Sequence, residues 1–464
     1  MNLQTQKLSF REKISYGFGD LASVLYWQTF MLYFTFFYTD VFLIPASAAA
    51  TMFLVSRIWD GVNDPLMGII ADRTQTRWGK FRPYLLWICV PFAVAGVLAF
   101  TVPDFGPTGK LVWAYVTFIL IMMLYTAINI PYTALLGVIS ADSSERTTIS
   151  SVKFLFAFSA GIIVSATLLP MVKVLGGGND PRGWQFSFII YGVAAVIFFL
   201  ITFKGTRERV QPPKNQQSSI KKDLYELVTN KPWLILLATT ITFILFVAVR
   251  SSVTVHYFKY VIGTQELSLP FLKTSAYGFV ELTSAFNTVG QISAFIGVLL
   301  VSWFAKLLGR KKAFIILFIV AIVSTAAFYF LSAAQLSLIF LFQILGSMTG
   351  GPLSVLLWAM YADTADYGEW KRGRRATGLI FSASTMSQKF GWAFGAFVAL
   401  SLMSRVGFVP NQAQSAESLR GLLLLFSLIP AFLGVIALGI MLLYNLDEKK
   451  MKAIETDLFN RRND

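Results

Sequence analysis

Residues 131–142 read PYTALLGVISAD, and residues 352–363 read PLSVLLWAMYAD. The prolines, the Leu pair and the closing Ala-Asp coincide without a gap. Each copy ends a long apolar run, at roughly 111–139 and 336–362. Runs of about 20 apolar residues are long enough to cross the ~30 Å hydrocarbon core as helices. In lipid the backbone groups must be satisfied within the segment, which helices achieve. Period-two alternation, the mark of a membrane barrel, is absent.

Outward from these two stretches, further runs stand at roughly 14–42, 47–71, 83–102, 150–175 and 185–204 in the first half, and at 233–262, 275–304, 313–332, 376–403 and 420–445 in the second. The repeated stretches therefore occupy the fourth and tenth runs. This fits two six-helix bundles related by an axis along the membrane normal; coincidence is the alternative for a single match this short. The expected organisation is an N-terminal bundle over 1–204, a cytoplasmic central loop over 205–232, a C-terminal bundle over 233–446 and a cytoplasmic tail over 447–464. An all-α membrane protein with about 12 transmembrane helices and this plan has the major facilitator fold.

Composition agrees. Of 464 residues 56% are hydrophobic and only 14% charged, against about 25% charged in soluble domains. The formal charge of +15 lies between the apolar runs, so it sets topology and does not signal nucleic acid. One set of loops carries Arg73, Arg77, Lys80 and Arg82, then Arg207 and Arg209, then Arg310, Lys311 and Lys312, then Lys371, Arg372, Arg374 and Arg375. The opposite loops are poor in Lys and Arg, which places the basic set and both termini in the cytoplasm. Cys89 is the single cysteine, so no intrachain disulfide forms. The first apolar run is too long for a cleavable signal.

A charge inside the bilayer costs at least about 2.5–3.5 kcal/mol at a helix centre, so the ionisable residues within the runs carry the functional information. The second run holds Arg57, Asp60, Asn63 and Asp64. The last three stand at i, i+3 and i+4 and share one helical face. Two carboxylates and an amide oxygen suit Na⁺. Without a cation they cannot both ionise cheaply, which suits a proton instead. The plainer reading has Arg57 neutralising one acid. In the fourth run Tyr125, Thr126 and Asn129 precede Pro131. Thr126 offers a further cation oxygen and Asn129 a sugar hydroxyl partner, or both simply bond between helices.

Asp20 follows YGFG at 16–19, with Tyr26 and Trp27 about two turns on. A carboxylate near aromatic rings suits a sugar; ordinary packing explains the rings equally well, and Lys153 on the fifth helix is an alternative ion-pair partner for Asp20. Lys389 lies in mid-run of the eleventh helix beside Thr385 and Trp392, too deep to snorkel; it suits sugar oxygens, a hexuronate carboxylate or an acid of the N-terminal half. Arg250 on the seventh helix is a second cation for an anionic substrate, with Glu281 of the eighth as its structural partner. His256 and Lys259 read as interfacial. Two cytoplasmic motifs remain. One contains Asp72, Arg73, Arg77 and Arg82; the other contains Asp363 and Asp366, with Arg375 close behind. Basic loop and acidic helix end suit ion pairs that form and break during transport. No nucleotide-binding loop, metal-spaced His/Cys cluster or nucleophile elbow is present, so a carrier without cofactors is expected, not an enzyme.

The second-helix motif, the loop WGKFRPY at 78–84 and DTADYGEW at 363–370 resemble the glycoside–pentoside–hexuronide:cation symporters, the group of the melibiose permease. The resemblance spans nearly the whole chain. It implies that Asp60, Asn63, Asp64 and Thr126 fall on cation-ligand positions. It also implies an altered sugar site: Asn129 replaces an aspartate, Thr133 a tryptophan, and Lys153 lies one position from an arginine, whereas Lys389 and Thr385 match. The expected function is Na⁺- or H⁺-coupled import of a glycoside, pentoside or hexuronide by alternating access, in a bacterial inner membrane, by a functional monomer whose partners are its sugar and membrane lipid. A lysolipid carrier on the same fold, or an uncoupled sugar uniporter or exporter, are the alternatives.

Overall fold

A computed structural model describes residues 8–140, 143–209, 227–267, 275–372 and 377–463. Its helices are α1 (Phe10–Phe36), α2 (Ala46–Arg73), α3 (Arg82–Trp87), α4 (Cys89–Ala99), α5 (Pro107–Ile139), α6 (Ser143–Gly176), α7 (Asp180–Gly205), α8 (Lys231–His256), α9 (Phe279–Leu308), α10 (Arg310–Ala327), α11 (Leu336–Arg372), α12 (Thr377–Arg405), α13 (Ala416–Phe426), α14 (Leu428–Leu442) and α15 (Glu448–Asn463). Among the described residues eight helical segments are long and apolar enough to cross a membrane.

The ends follow local chemistry. Ser9 caps α1 by accepting from the Glu12 N–H at 3.2 Å. Asn179 caps α7 and Asn230 caps α8 in the same manner, each with a proline in the first turn, where its missing N–H costs nothing. The third apolar run divides into α3 and α4 because Pro91 has no N–H for the Trp87 carbonyl; Pro430 does the same for Phe426, dividing the twelfth into α13 and α14. α1 and α8 each run on into a π-helical turn, Phe37–Val41 and Tyr257–Ile262.

Three differences from the sequence expectation stand out. Residues 275–277, expected to start the eighth helix, instead pair as Ser275–Tyr277 with Gln265–Leu267 in an antiparallel hairpin. The tenth helix continues ten residues past 362 to Arg372 and carries the acidic motif on its last turns. The tail is helical: α15 buries Met451 and Ile454, and the Trp370 indole donates to Asp457 at 2.8 Å.

The chain forms two compact units, one of 1–215, 280–288 and 410–412, the other of 216–279, 289–409 and 413–464. In the first unit α1 lies close against α5 and α6. A Cβ on Gly17 would fall 2.6 Å from the Phe156 ring, and one on Gly19 2.4 Å from the Tyr132 ring. Tyr16 and Tyr132 stack at 4.7 Å. Tyr16 Oη donates to the Tyr132 carbonyl (3.2 Å) and Tyr132 Oη to the Tyr16 carbonyl (2.9 Å). Phe100, Trp184 and Phe188 fill the far end of this core. In the second unit Phe243, Phe246 and Phe318 pack together. There Gly297 lets α9 approach α11: a Cβ would sit 1.9 Å from the Met348 carbonyl oxygen.

Candidate functional site

In the first unit the Tyr16–Tyr132 bracket sets the height of α1 against α5, and Asp20 follows Tyr16 by about one turn. Asp20 is 7% exposed. Lys153 of α6 reaches it, with Nζ 3.6 Å from Oδ1, while the same ammonium lies 5.7 Å from the Tyr132 ring centroid. The ion pair offered as one reading of Asp20 is thus formed.

Two turns along α1, Trp27 stacks on Tyr125 of α5, centroids 5.5 Å apart at 26°. Tyr26, its neighbour, turns the other way. It is fully buried against Phe92 and Phe188, so its role is core packing, a correction to the sugar-contacting role expected of it. Successive helical residues are about 100° apart, which is why two adjacent rings face different surroundings.

Tyr125 is followed by Thr126, whose Oγ1 donates to Asp64 Oδ1 at 2.9 Å. This bond joins α5 to α2 at the acidic face. Asp60 and Thr126 are each 3% exposed; Asn63 and Asp64 are half-buried on α2, and Asn129 is half-buried one turn beyond Tyr125. Carboxylate, amide and hydroxyl groups supply hard oxygens, the type that oxygen-coordinated cations take. The side chain of Arg57 lies outside the described residues.

In the second unit Arg250 Nη2 donates to Gln343 Oε1 at 2.6 Å. Its guanidinium lies over Phe328 (4.7 Å) and Phe426 (5.0 Å). Gln343 escaped the sequence reading although it is visible there as a lone amide within an apolar run. Glu281 belongs to the first unit, where it pairs with Lys173. Lys389 and Trp392 are half-buried on α12 and Thr385 is exposed; Trp392 packs on the unit's apolar core. His256, at the end of α8, is fully buried within the protein, edge-on to Phe408 at 5.2 Å.

At the basic loops, Arg82 is committed within its own unit. Nη1 donates to the Trp78 carbonyl (3.2 Å) and Nη2 to the Phe203 carbonyl (2.6 Å). Burial lowers the proton affinity of its guanidinium, and the nearby Glu208 carboxylate opposes that effect. Arg77 lies over the Trp78 ring at 4.5 Å, and Arg73 is exposed. Asp363 pairs with Arg310 of its own unit, and Asp366 is half-buried. The side chain of Asp72, and Arg375 altogether, lie outside the described residues.

Sequence reasoning missed Glu208, Glu12 and Arg209 as structural centres. The Glu208 carboxylate accepts the backbone N–H groups of Lys80 (2.9 Å), Phe81 (2.8 Å) and Arg82 (3.0 Å). Gly79 makes room for it, with φ +109° and no Cβ, since a Cβ would lie 2.4 Å from the carboxylate carbon. Arg209 grips Glu12 bidentately at 2.7 and 2.8 Å, and its N–H reaches the Val138 carbonyl at 2.8 Å. No spacing signal exposes these contacts, because their partners lie at least 70 residues away in the chain.

The family model described as MFS/sugar transport protein matches residues 15–448. The chain is 35% identical over 435 residues to the inner membrane symporter YicJ of Escherichia coli (strain K12), covering 92% of this chain and 90% of that one. It is 37% identical over 449 residues to the isoprimeverose transporter of Lactiplantibacillus pentosus, covering 96% and 90%. It is 34% identical to the putative glycoside/cation symporter YagG of E. coli (strain K12), covering 98% and 96%. Among solved structures its fold resembles that of tetrameric PepTSo2, with TM-score 0.66 at 13% identity over 94% of this chain and 97% of that one. It also resembles a mutant of the nucleoside transporter NupG, with TM-score 0.64 at 13% identity over 94% and 100%.

Proposed function

We infer, for a chain that belongs to the MFS/sugar transport protein family, a cation-coupled symporter that imports a glycoside, pentoside or hexuronide by alternating access. The observation that carries this reading is the Thr126–Asp64 hydrogen bond, which places the acidic face of α2 next to the residue that follows Tyr125, the ring stacked on Trp27. The relatives' names, a glycoside/cation symporter and an isoprimeverose transporter, support the same class of cargo.

In this reading Na⁺ or H⁺ binds at Asp60 and Asp64, with Asn63 and Thr126 supplying neutral oxygens. The cation offsets the repulsion of the two carboxylates. Thr126 then turns its hydroxyl lone pair toward the cation, and the α2–α5 contact tightens. Trp27 and Tyr125 present ring faces to the apolar side of a sugar, while Asp20, Lys153 and Asn129 take its hydroxyls. Arg250, Thr385, Lys389 and Trp392 are the second unit's candidate substrate contacts, with Arg250 already oriented by Gln343 and two phenyl rings. Asp72, Arg73, Arg77, Asp366 and Arg375 are proposed gate residues, whereas Arg82 and Asp363 act as braces of their own units. The protein works as a monomer in a bacterial inner membrane with cytoplasmic termini, and needs no cofactor beyond its coupling ion.

Thermal unfolding of the purified protein across a glycoside panel, in Na⁺ and in K⁺ at two pH values, tests the reading. Ligand at 100 times its Kd stabilises by about 2.7 kcal/mol, so a true cargo raises Tm, and more so with the coupling cation. If no glycoside, pentoside or hexuronide shifts Tm under any ion condition, the reading is wrong.

A further inference from the structure

Away from the polar residues, the first unit carries an apolar groove of about 400 Å³ on its outer face. Val90, Val94 and Val97 of α4 form one wall, and Ile189, Val193 and Ile197 of α7 the other. Five of these six are between 41% and 57% exposed. The floor is Ala93 and Gly192. A Cβ on Gly192 would lie 3.3 Å from the Ala93 methyl and 3.4 Å from the Tyr26 hydroxyl, so the absent side chain keeps the floor low.

The groove has a charged end. Arg182, exposed in the first turn of α7, falls within about 20° of both Ile189 and Val193 around the helix, and about 10 Å beyond Ile189 along its axis. Helical side chains lean toward the N-terminus, so the guanidinium leans away from the groove toward the polar side. A ~30 Å core centred on the 26 residues of α7 begins about three residues in, which sets Arg182 at the height of lipid headgroups. Between cation and groove, Gln185 Nε2 donates to Thr101 Oγ1 at 3.1 Å, leaving a lip without net charge.

We propose that this groove holds one acyl chain of a diacyl phospholipid, with the lipid phosphate on Arg182. Inside a bilayer there is no hydrophobic gain in moving a chain from lipid to protein. Retention rests on close van der Waals contact with the branched walls and on charge-assisted hydrogen bonds from guanidinium to phosphate. A helix of a second copy is the poorer occupant. Close helix packing in membranes uses small residues at the approach, whereas these walls are Val and Ile around a narrow floor.

Native mass spectrometry of the full-length protein, delipidated in detergent and incubated with dioleoylphosphatidylglycerol or with dioleoylglycerol, tests the site. The wild type is expected to retain one phosphatidylglycerol per chain, at least tenfold above the diglyceride, which has the chains but no phosphate. Arg182→Ala should erase that difference. Val193→Trp should fill the groove and lower phosphatidylglycerol retention about tenfold, while Val323→Trp on a lipid-exposed face of the other unit should leave it unchanged. Equal retention by Val193→Trp and Val323→Trp, or equal retention of the two lipids by the wild type, would overturn the proposal. Should Val193→Trp fail to fold, Ile197→Trp and the wild-type comparison of the two lipids still decide it.

Discussion

Asp64 and Thr126 show how much a single hydrogen bond organises in this protein. The hydroxyl both satisfies a carboxylate in a low-dielectric setting and ties two helices together. A hydrogen bond to a charged group contributes about 1.5–3 kcal/mol. Thr126→Ala should therefore lower stability by about 1.5–3 kcal/mol, read as a fall in Tm of the purified protein without added cation; an unchanged Tm would show that the bond does not hold α2 against α5. Gly79 belongs to the same scale. Its positive φ and the carboxylate beside it both exclude a side chain. Gly79→Ala should lower stability by about 1–3 kcal/mol, measured as a fall in Tm of the purified protein.

At the scale of elements, two braces hold the first unit. The Tyr16–Tyr132 bracket fixes α1 against α5, and with it the position of Asp20. The segment after α7 fixes the other end: Arg209 grips Glu12 of α1 and the end of α5, and Glu208 caps the loop between α2 and α3. Glu12 and Arg209 side chains are 8% and 9% exposed. Breaking such a pair from one side costs about 3–5 kcal/mol, because the surviving charge stays buried. Glu12→Ala alone should thus destabilise more than Glu12→Ala combined with Arg209→Ala, and chemical denaturation of both variants measures the coupling. The same logic governs Asp20 and Lys153. Lys153→Ala should impair folding and uptake more than Lys153→Ala combined with Asp20→Asn impairs folding; a simple sum of the two single effects on stability would dissolve the pair.

For the whole molecule the question is coupling. If cation and sugar bind the same unit cooperatively, each raises the other's affinity by the same factor. Asp64→Asn should abolish uphill sugar accumulation driven by an ion gradient in membrane vesicles. Sugar–sugar exchange across the same vesicles should persist, because exchange needs the sugar contacts and not a net cation flux. Retained uphill accumulation in Asp64→Asn would exclude it as the cation ligand.

Membrane-crossing runs and the acidic face of α2 were legible along the chain because each depends on residues within a few turns of one another: run length against bilayer thickness, and i, i+3, i+4 spacing on one face. Even the choice between Tyr26 and Trp27 was half-visible, as two neighbours about 100° apart. Which of them meets Tyr125 and which meets Phe92 and Phe188 depended on the rotation of α1, and that is set by Gly17 and Gly19 seated on Phe156 and Tyr132. Likewise, the run of basic residues at 73–82 could be read as a topology signal, but not that Arg82 is spent on the Phe203 carbonyl, nor that Glu208 caps the loop. These contacts join residues far apart in the chain, and local spacing holds no record of which distant carboxylate or carbonyl a folded helix bundle will bring within three ångströms. The membrane-crossing helices are a consequence of the solvent they must cross; the partners of their buried charges are a consequence of how the helices pack.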